Sequence, residues 1–149
     1  MWTGRRLTGR LAQIAKQQRR LVSDSAYVPR RALLYVPASS EKMLGKVHTM
    51  QADCVVLELE DGVALTSKDL ARANVAKYLD QMPNQFACQE LGVRVNAVAS
   101  GLIEDDLKAV SQANTIPAAF MVPKVDSVDD VQTVWGLFRK YYGHRLAEN

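Results

Sequence analysis

Residues 54–59, Cys-Val-Val-Leu-Glu-Leu, make a nearly unbroken apolar run that meets a Glu60-Asp61-Gly62 turn. Six residues is strand length, and a strand without polar alternation suits a sheet covered on both faces. That points to a parallel sheet clothed in helices, where chemistry sits at the carboxyl ends of the strands. A carboxylate placed at such an end costs desolvation unless a metal, a lysine or an arginine answers it. The plainer reading is a glutamate capping the next helix and an ordinary Asp-Gly turn.

The rest of the chain repeats this strand-then-helix rhythm. Residues 31–36 form a short apolar run stopped by Pro37, and Ser39 or Ser40 can cap a helix over residues 40–51 with Met43, Leu44, Val47 and Met50 on one face. A second helix is predicted over 67–81, with Leu70, Ala73, Val75, Ala76 and Leu79 inward and Pro83 beyond its end. Residues 93–96 read as a third strand and 101–113 as a third helix, facing the core through Leu102, Ile103, Leu107 and Val110. Residues 118–122 are a fourth strand stopped at Pro123, and 127–142 a fourth helix with Asp129 and Asp130 in its favourable first turn. Four βα units are half of a (β/α)8 barrel, or alternatively a small open doubly wound sheet. Neither Gly-x-Gly-x-x-Gly nor the P-loop pattern occurs, so a nucleotide-binding version has no support.

Charge separates the two ends of the sequence. Residues 1–22 hold Arg5, Arg6, Arg10, Lys16, Arg19 and Arg20 and no acid; the remainder has 13 basic against 16 acidic residues. A mildly acidic body argues against a nucleic-acid surface. No apolar run is long enough for a secretory signal or a bilayer span. Trp2, Leu7, Leu11, Ile14 and Leu21 alternate with the arginines at roughly helical spacing, the pattern of a mitochondrial transit peptide, or of a basic arm that binds anionic surfaces. We expect residues 1–27 to be transit peptide and linker, and 28–149 to be the barrel part. Cys54 and Cys88 lack metal or redox spacing and fit a reducing compartment such as the matrix.

Polar or ionisable residues follow every apolar run: Tyr35-Val-Pro37, Glu58 with Glu60 and Asp61, Arg94-Val-Asn96, and Pro123-Lys124. Arg94 and Asn96 share a strand face, which suits bidentate carboxylate binding or a salt bridge to Glu58 or Glu60. Lys42 and Lys46, i,i+4 on the first helix, make either an anion site or a solvated face. Lys124 could form a Schiff base or neutralise the acids of the second strand. His48 and His144 are too isolated for a metal site or a triad, and Tyr141-Tyr142 suits packing.

Taken together, Arg30-Arg-Ala-Leu-Leu-Tyr-Val-Pro37, Leu57-Glu-Leu-Glu-Asp-Gly-Val63, Val93-Arg-Val-Asn96 and Met121-Val-Pro-Lys-Val125 resemble the HpcH/HpaI aldolase and citrate lyase β-subunit family, over about residues 28–140. The resemblance implies the first four βα units of a TIM (β/α)8 barrel. It also implies a Mg²⁺-dependent lyase that cleaves the β-hydroxyacyl thioester citramalyl-CoA to acetyl-CoA and pyruvate, in the mitochondrial matrix. By that resemblance Arg94 holds the keto-acid carboxylate, and Tyr35, Lys42 and Lys46 contact substrate and CoA. Glu60 and Asp61 support a metal site without ligating it, with Asn96 and Lys124 completing the electrostatic surround. The family's metal-ligating carboxylates lie on its fifth and sixth strands, so ligands are expected beyond residue 149 and this chain alone is expected to be inactive. Position 58 is Glu where many relatives carry Asp. A homo-oligomer, a trimer above all, is implied for the complete protein. Two other readings stand beside this one: a non-catalytic half barrel docking on full-length subunits, and a malyl-CoA lyase, thioesterase or malate-synthase-like activity.

Overall fold

The structure, a computed structural model, describes residues 30–81, 88 and 90–146, with only the backbone at 146. Strands β1 (Leu33–Pro37), β2 (Cys54–Glu58), β3 (Glu90–Arg94) and β4 (Ala119–Met121) form one sheet in the order β1-β2-β3-β4. All three pairings are parallel, with Tyr35 opposite Val56, Glu58 opposite Arg94, and Arg94 opposite Met121. A doubly wound sheet would reverse its strand order at a switch point. This order never reverses, so the winding is that of half a (β/α)8 barrel. The three connections contain α1 (Glu41–Leu44), α2 (Lys68–Gln81) and α3 (Ile103–Val110), and α4 (Val128–Leu146) follows β4.

Strand parity separates two faces. Val55, Leu57, Leu91 and Val93 join Val75, Leu79, Leu107 and Val110 of the helices in one buried cluster. The other parity places Tyr35, Glu58, Arg94 and Met121 on the opposite face, where the barrel interior lies. Gly92 is needed on that face: a Cβ there would come within 3.3 Å of the Ala119 carbonyl oxygen.

Several expected boundaries move, each for a physical reason. The helix expected over 40–51 is one turn, Glu41–Leu44, followed by a 3-10 turn at Val47–Thr49. Gly45 sits between them, and a glycine within a helix costs about 1 kcal/mol relative to alanine. The third strand starts three residues before the expected 93–96, because Leu91, Val93 and Val95 alternate into the helix-side core and extend the ladder backwards. Helix α2 turns a different face inward: Leu70 is exposed, while Lys68, Ala71, Arg72, Asn74, Val75 and Leu79 are buried. Its polar members find partners just past the strand ends or on α3, such as the Ala38 carbonyl that accepts from Asn74 Nδ2 at 2.9 Å and the Asp106 carboxylate that accepts from Arg72. The third helix spans Ile103–Val110 within the expected 101–113, and α4 runs past the expected 142 to Leu146. The basic leader, the 23–29 linker and Pro83 lie outside the described residues. No described helix is long and apolar enough to cross a membrane.

Candidate active site

The carboxyl ends of β2, β3 and β4 bring the charges together. Glu58 ends β2 and is buried; the chain then turns so that its carboxylate accepts the Glu60 backbone N–H at 2.6 Å. That turn points both glutamates at the neighbouring strand end. Arg94, last in β3, donates from Nη1 to Glu58 at 3.2 Å and from Nη2 to Glu60 and, at 3.4 Å, to Asp61. Lys124 Nζ approaches from beyond β4, 2.8 Å from Glu60 Oε1 and 3.0 Å from Asp61 Oδ1. Tyr35 reaches across from β1; its hydroxyl donates to Met121 Sδ at 3.2 Å and its ring lies 5.5 Å from the Arg94 guanidinium.

The electrostatics follow from burial and pairing. Burial pushes the Glu58 carboxyl above its ordinary value, against the pull of the Glu60 amide and Arg94. Burial works against the charge on Arg94, but Glu58, Glu60 and Asp61 outweigh it and the guanidinium is held more firmly protonated. Lys124 holds Asp61 below the usual carboxylate range, and the same contacts, with Glu60, raise Lys124. Lys124 has φ of 51°, a left-handed conformation that costs a side-chain-bearing residue about 1–2 kcal/mol. The strain falls at the rim of the site, where the ion contacts to Glu60 and Asp61 offset it.

Beneath the rim lies a second layer of polar groups, of which the sequence patterns singled out only Asn96. Lys68, only 7% exposed, spends all three of its hydrogens: on the Leu59 and Glu60 carbonyls at 2.5 and 2.7 Å and on Asn96 Oδ1 at 2.7 Å. Burial lowers its pKa despite nearby carboxylates. Asn96 in turn donates its backbone N–H and its Nδ2 to Asp106 Oδ2, each at 2.7 Å. Asp106 is wholly buried, and Arg72 Nε reaches its other oxygen at 2.8 Å. This chain of bonds ties the ends of β2 and β3 to α2 and α3 and fixes the backbone that aims Glu60. The usable signal was spacing: Lys68 and Arg72 stand at helical intervals from Val75 and Leu79, so all four share the buried face.

The other expected site residues fall as follows. Asn96 lies just past β3, turned into the buried layer rather than beside the Arg94 fork. Lys42 and Lys46 are exposed, and because α1 ends at Leu44 they are not an i,i+4 helical pair. His48 is half-buried with its ring 6.2 Å from that of Tyr78, and His144 is exposed on the last turn of α4. Among the described residues no three His, Cys, Asp or Glu side chains converge as a metal site. Glu60 and Asp61 both face Lys124 and Arg94, so a divalent cation would have to displace two cations to use them. These residues alone do not fit a magnesium ion. What they can do is present a steadied guanidinium, with N–H donors to spare, at the open end of the sheet.

Residues 31–149 match the model of a family described as HpcH/HpaI aldolase/citrate lyase. The chain is 43% identical over 111 residues to the mitochondrial citramalyl-CoA lyase of Rattus norvegicus, covering 74% of this chain and 32% of that enzyme. It therefore spans about a third of the length of the curated relatives it matches. The CitE protein of Mycobacterium tuberculosis, solved in complex with magnesium, acetoacetate and coenzyme A, is 32% identical, with a TM-score of 0.54 over 71% of this chain and 38% of that one. A citrate lyase of Burkholderia xenovorans LB400 has a TM-score of 0.67 at 23% identity, covering 81% of this chain and 38% of that one, which supports the fold alone. The sequentially wound parallel sheet, the charged strand ends and a family match running from the start of β1 through α4 agree: this chain belongs to the HpcH/HpaI aldolase/citrate lyase family.

Proposed function

We propose that this chain provides the substrate-holding half of a carbon–carbon lyase that splits citramalyl-CoA into acetyl-CoA and pyruvate. The observation that carries the reading is Arg94: a guanidinium at the mouth of a parallel sheet, braced by Glu58, Glu60 and the Tyr35 ring. The identity to the rat citramalyl-CoA lyase supports it. Cleavage of the carbon–carbon bond needs the hydroxyl proton removed and the forming carbonyl and enolate stabilised. In this reading Arg94 grips the keto-acid carboxylate, while Glu58 and Glu60 set the plane of its fork. Lys68 and Asn96 hold the β2 end in place, and Lys124 draws Glu60 and Asp61 to the side. Lys42 and Lys46 meet the phosphates of CoA. A magnesium ion of the complete enzyme would be held by carboxylates beyond residue 149, and no step assigned to these residues passes through it. Residues 1–27 direct the protein to the mitochondrial matrix, 28–149 form the first half of the barrel, and the complete protein is a homo-oligomer, with a trimer favoured.

Ligand-observed NMR on the purified chain, with pyruvate and acetyl-CoA as probes, tests the grip. Arg94→Ala is expected to abolish the pyruvate signal and spare that of acetyl-CoA; equal pyruvate signals remove Arg94 from the site. In a complete barrel the same change should raise KM for the acid substrate and lower kcat. Incubation of the chain with citramalyl-CoA and Mg²⁺ separates the neighbouring readings. Release of acetyl-CoA and pyruvate would show that these residues suffice for turnover. Release of free CoA without pyruvate would assign a thioesterase, and an inert chain that co-purifies with full-length subunits would assign the docking role.

A further inference from the structure

Gly62 stands in a turn that does not ask for glycine. The Val63 N–H donates to the Glu60 carbonyl at 3.1 Å, closing residues 60–63, and Gly62 keeps out of the left-handed region that Gly101 enters. An Asp-Gly pair in a turn commonly marks a backbone that needs positive φ. Where the backbone does not need it, alanine would stabilise the fold by lowering the entropy of the unfolded chain, so the glycine wants another reason. Space supplies it. A Cβ at position 62 would stand 3.0 Å from Glu58 Cγ and 3.4 Å from Pro37 Cγ. Neither side can give way freely. The Glu60 carbonyl is pinned by the Val63 N–H and by Lys68 Nζ at 2.7 Å, which holds the turn in place. Glu58 is 3% exposed, with Oε1 accepting the Glu60 N–H at 2.6 Å and Oε2 accepting from Arg94 Nη1 at 3.2 Å. Moving its Cγ aside must lengthen one of those two bonds.

We infer that Gly62 is a positioning residue: by leaving out a methyl group it seats the Glu58 side chain, and through Glu58 it fixes the plane of the Arg94 guanidinium. The path is short. The Glu58 stem fills the space that a larger residue at 62 would take, its far oxygen meets Nη1, and Glu60 meets Nη2 of the same fork. Loss of the Glu58 contact frees one arm of the guanidinium to swing, and a bidentate grip on a carboxylate depends on that plane. Pro37, also against the missing Cβ, ties the same seat to the end of β1. The inference deepens the proposed reading and rests on it for the acid that Arg94 holds. The seating of Glu58 stands on the geometry of β1, β2, β3 and the turn after β2.

Two NMR measurements on the full chain test it. In nitrogen-15-labelled protein the Arg94 Nη–H signals, identified by their loss in Arg94→Lys, report whether the guanidinium is held or rotates; ligand-observed spectra with pyruvate report its grip. Wild type should give separate Nη signals. Gly62→Ala should merge them and weaken pyruvate binding about tenfold, the worth of one hydrogen bond to a charged group, with acetyl-CoA binding unchanged. Glu58→Asp removes the crowding methylene and keeps a carboxylate within reach of the Glu60 N–H. Adding it to Gly62→Ala should therefore restore the separate signals and most of the affinity. If Gly62→Ala alone does not fold, Glu58→Asp is compared with and without it: the alanine should leave binding equal or tighter, and weaker binding overturns the inference. So do separate signals with full affinity in Gly62→Ala, losses that simply multiply in the double variant, or merged signals in wild type. Separate signals that merge in Gly62→Ala, with no pyruvate bound by either protein, would uphold the seat and overturn the reading of Arg94 as the holder of the acid.

Discussion

Replacing Asp106 with alanine should be among the most damaging single changes in this chain, and its cost can be worked from the contacts. The carboxylate is wholly buried and accepts three bonds: from Arg72 Nε at 2.8 Å and from Asn96 N and Nδ2 at 2.7 Å each. Alanine leaves the Arg72 guanidinium, whose side chain is 10% exposed, without its buried partner and with only the exposed Asp69 carboxylate and the Leu102 carbonyl, which holds the loss to the lower end for a broken buried pair. Removing one member of a buried ion pair costs about 3–5 kcal/mol, because the other charge stays buried and uncompensated. The stranded Asn96 donors add about 1–3 kcal/mol, less whatever water can reach them. A loss of about 4 kcal/mol or more is expected, against about 5–15 kcal/mol for a whole domain. With a urea m-value of about 2 kcal/mol/M, the unfolding midpoint at pH 7 should fall by roughly 2 M. The measurement is far-ultraviolet circular dichroism at one fixed protein concentration, since self-association would add to apparent stability. Replacing both partners, Arg72→Met with Asp106→Leu, should recover much of the loss, as apolar pairs of similar volume do. A loss under about 1 kcal/mol for Asp106→Ala, the size typical of an exposed pair, would refute the view that this network ties the strand ends to α2 and α3.

Three further outcomes follow from single groups. Tyr142 packs against Phe120 and Phe138, and its buried hydroxyl finds no partner among the described residues, so Tyr142→Phe should stabilise the fold by about 1 kcal/mol in the same urea assay; a destabilisation would mean the hydroxyl is satisfied. Asp53 accepts from the Arg31 and Ala32 amides and from the Arg31 side chain, contacts that depress its pKa. A depressed carboxylate contributes stability above its ordinary pKa that is lost as pH falls below it. Asp53→Asn should therefore weaken the fold at pH 7, with the gap to wild type closing as the urea titration is repeated toward pH 3; a constant gap would contradict the assignment. Glu58 has the opposite sign: its raised pKa gives stability below the ordinary glutamate value that is lost as pH rises through the folded one. Glu58→Gln should accordingly lose less at pH 7 than at pH 4, a comparison that equal losses would defeat.

The order of elements was legible because its signals are local. Pro37 and Pro123 stop apolar runs, Ser40 caps α1, and Asp129 and Asp130 open α4. Boundaries were less legible where a neighbour decides them: β3 begins at Glu90 because β2 offers a ladder from Cys54 onward. The rim of the site was legible as a set of residue types, Tyr35, Glu58, Glu60, Asp61, Arg94 and Lys124, each following an apolar run. The layer beneath it was not. Lys68, Arg72 and Asp106 look like helix-surface charges in a sequence, and hydropathy assigns them to water.

By itself, then, the sequence determined four βα units, polar strand ends and membership of a family, because periodicity, capping and turn chemistry act over a few residues. The tertiary structure alone decided that the sheet winds without reversal, that Glu58 is buried beside Arg94, and that Asp106 is the hub of a polar chain. Lys124 meets Asp61 across 63 positions and Arg72 meets Asp106 across 34. Contacts at such separation depend on how the strands wind and on which helix covers which pair, and no local pattern encodes that.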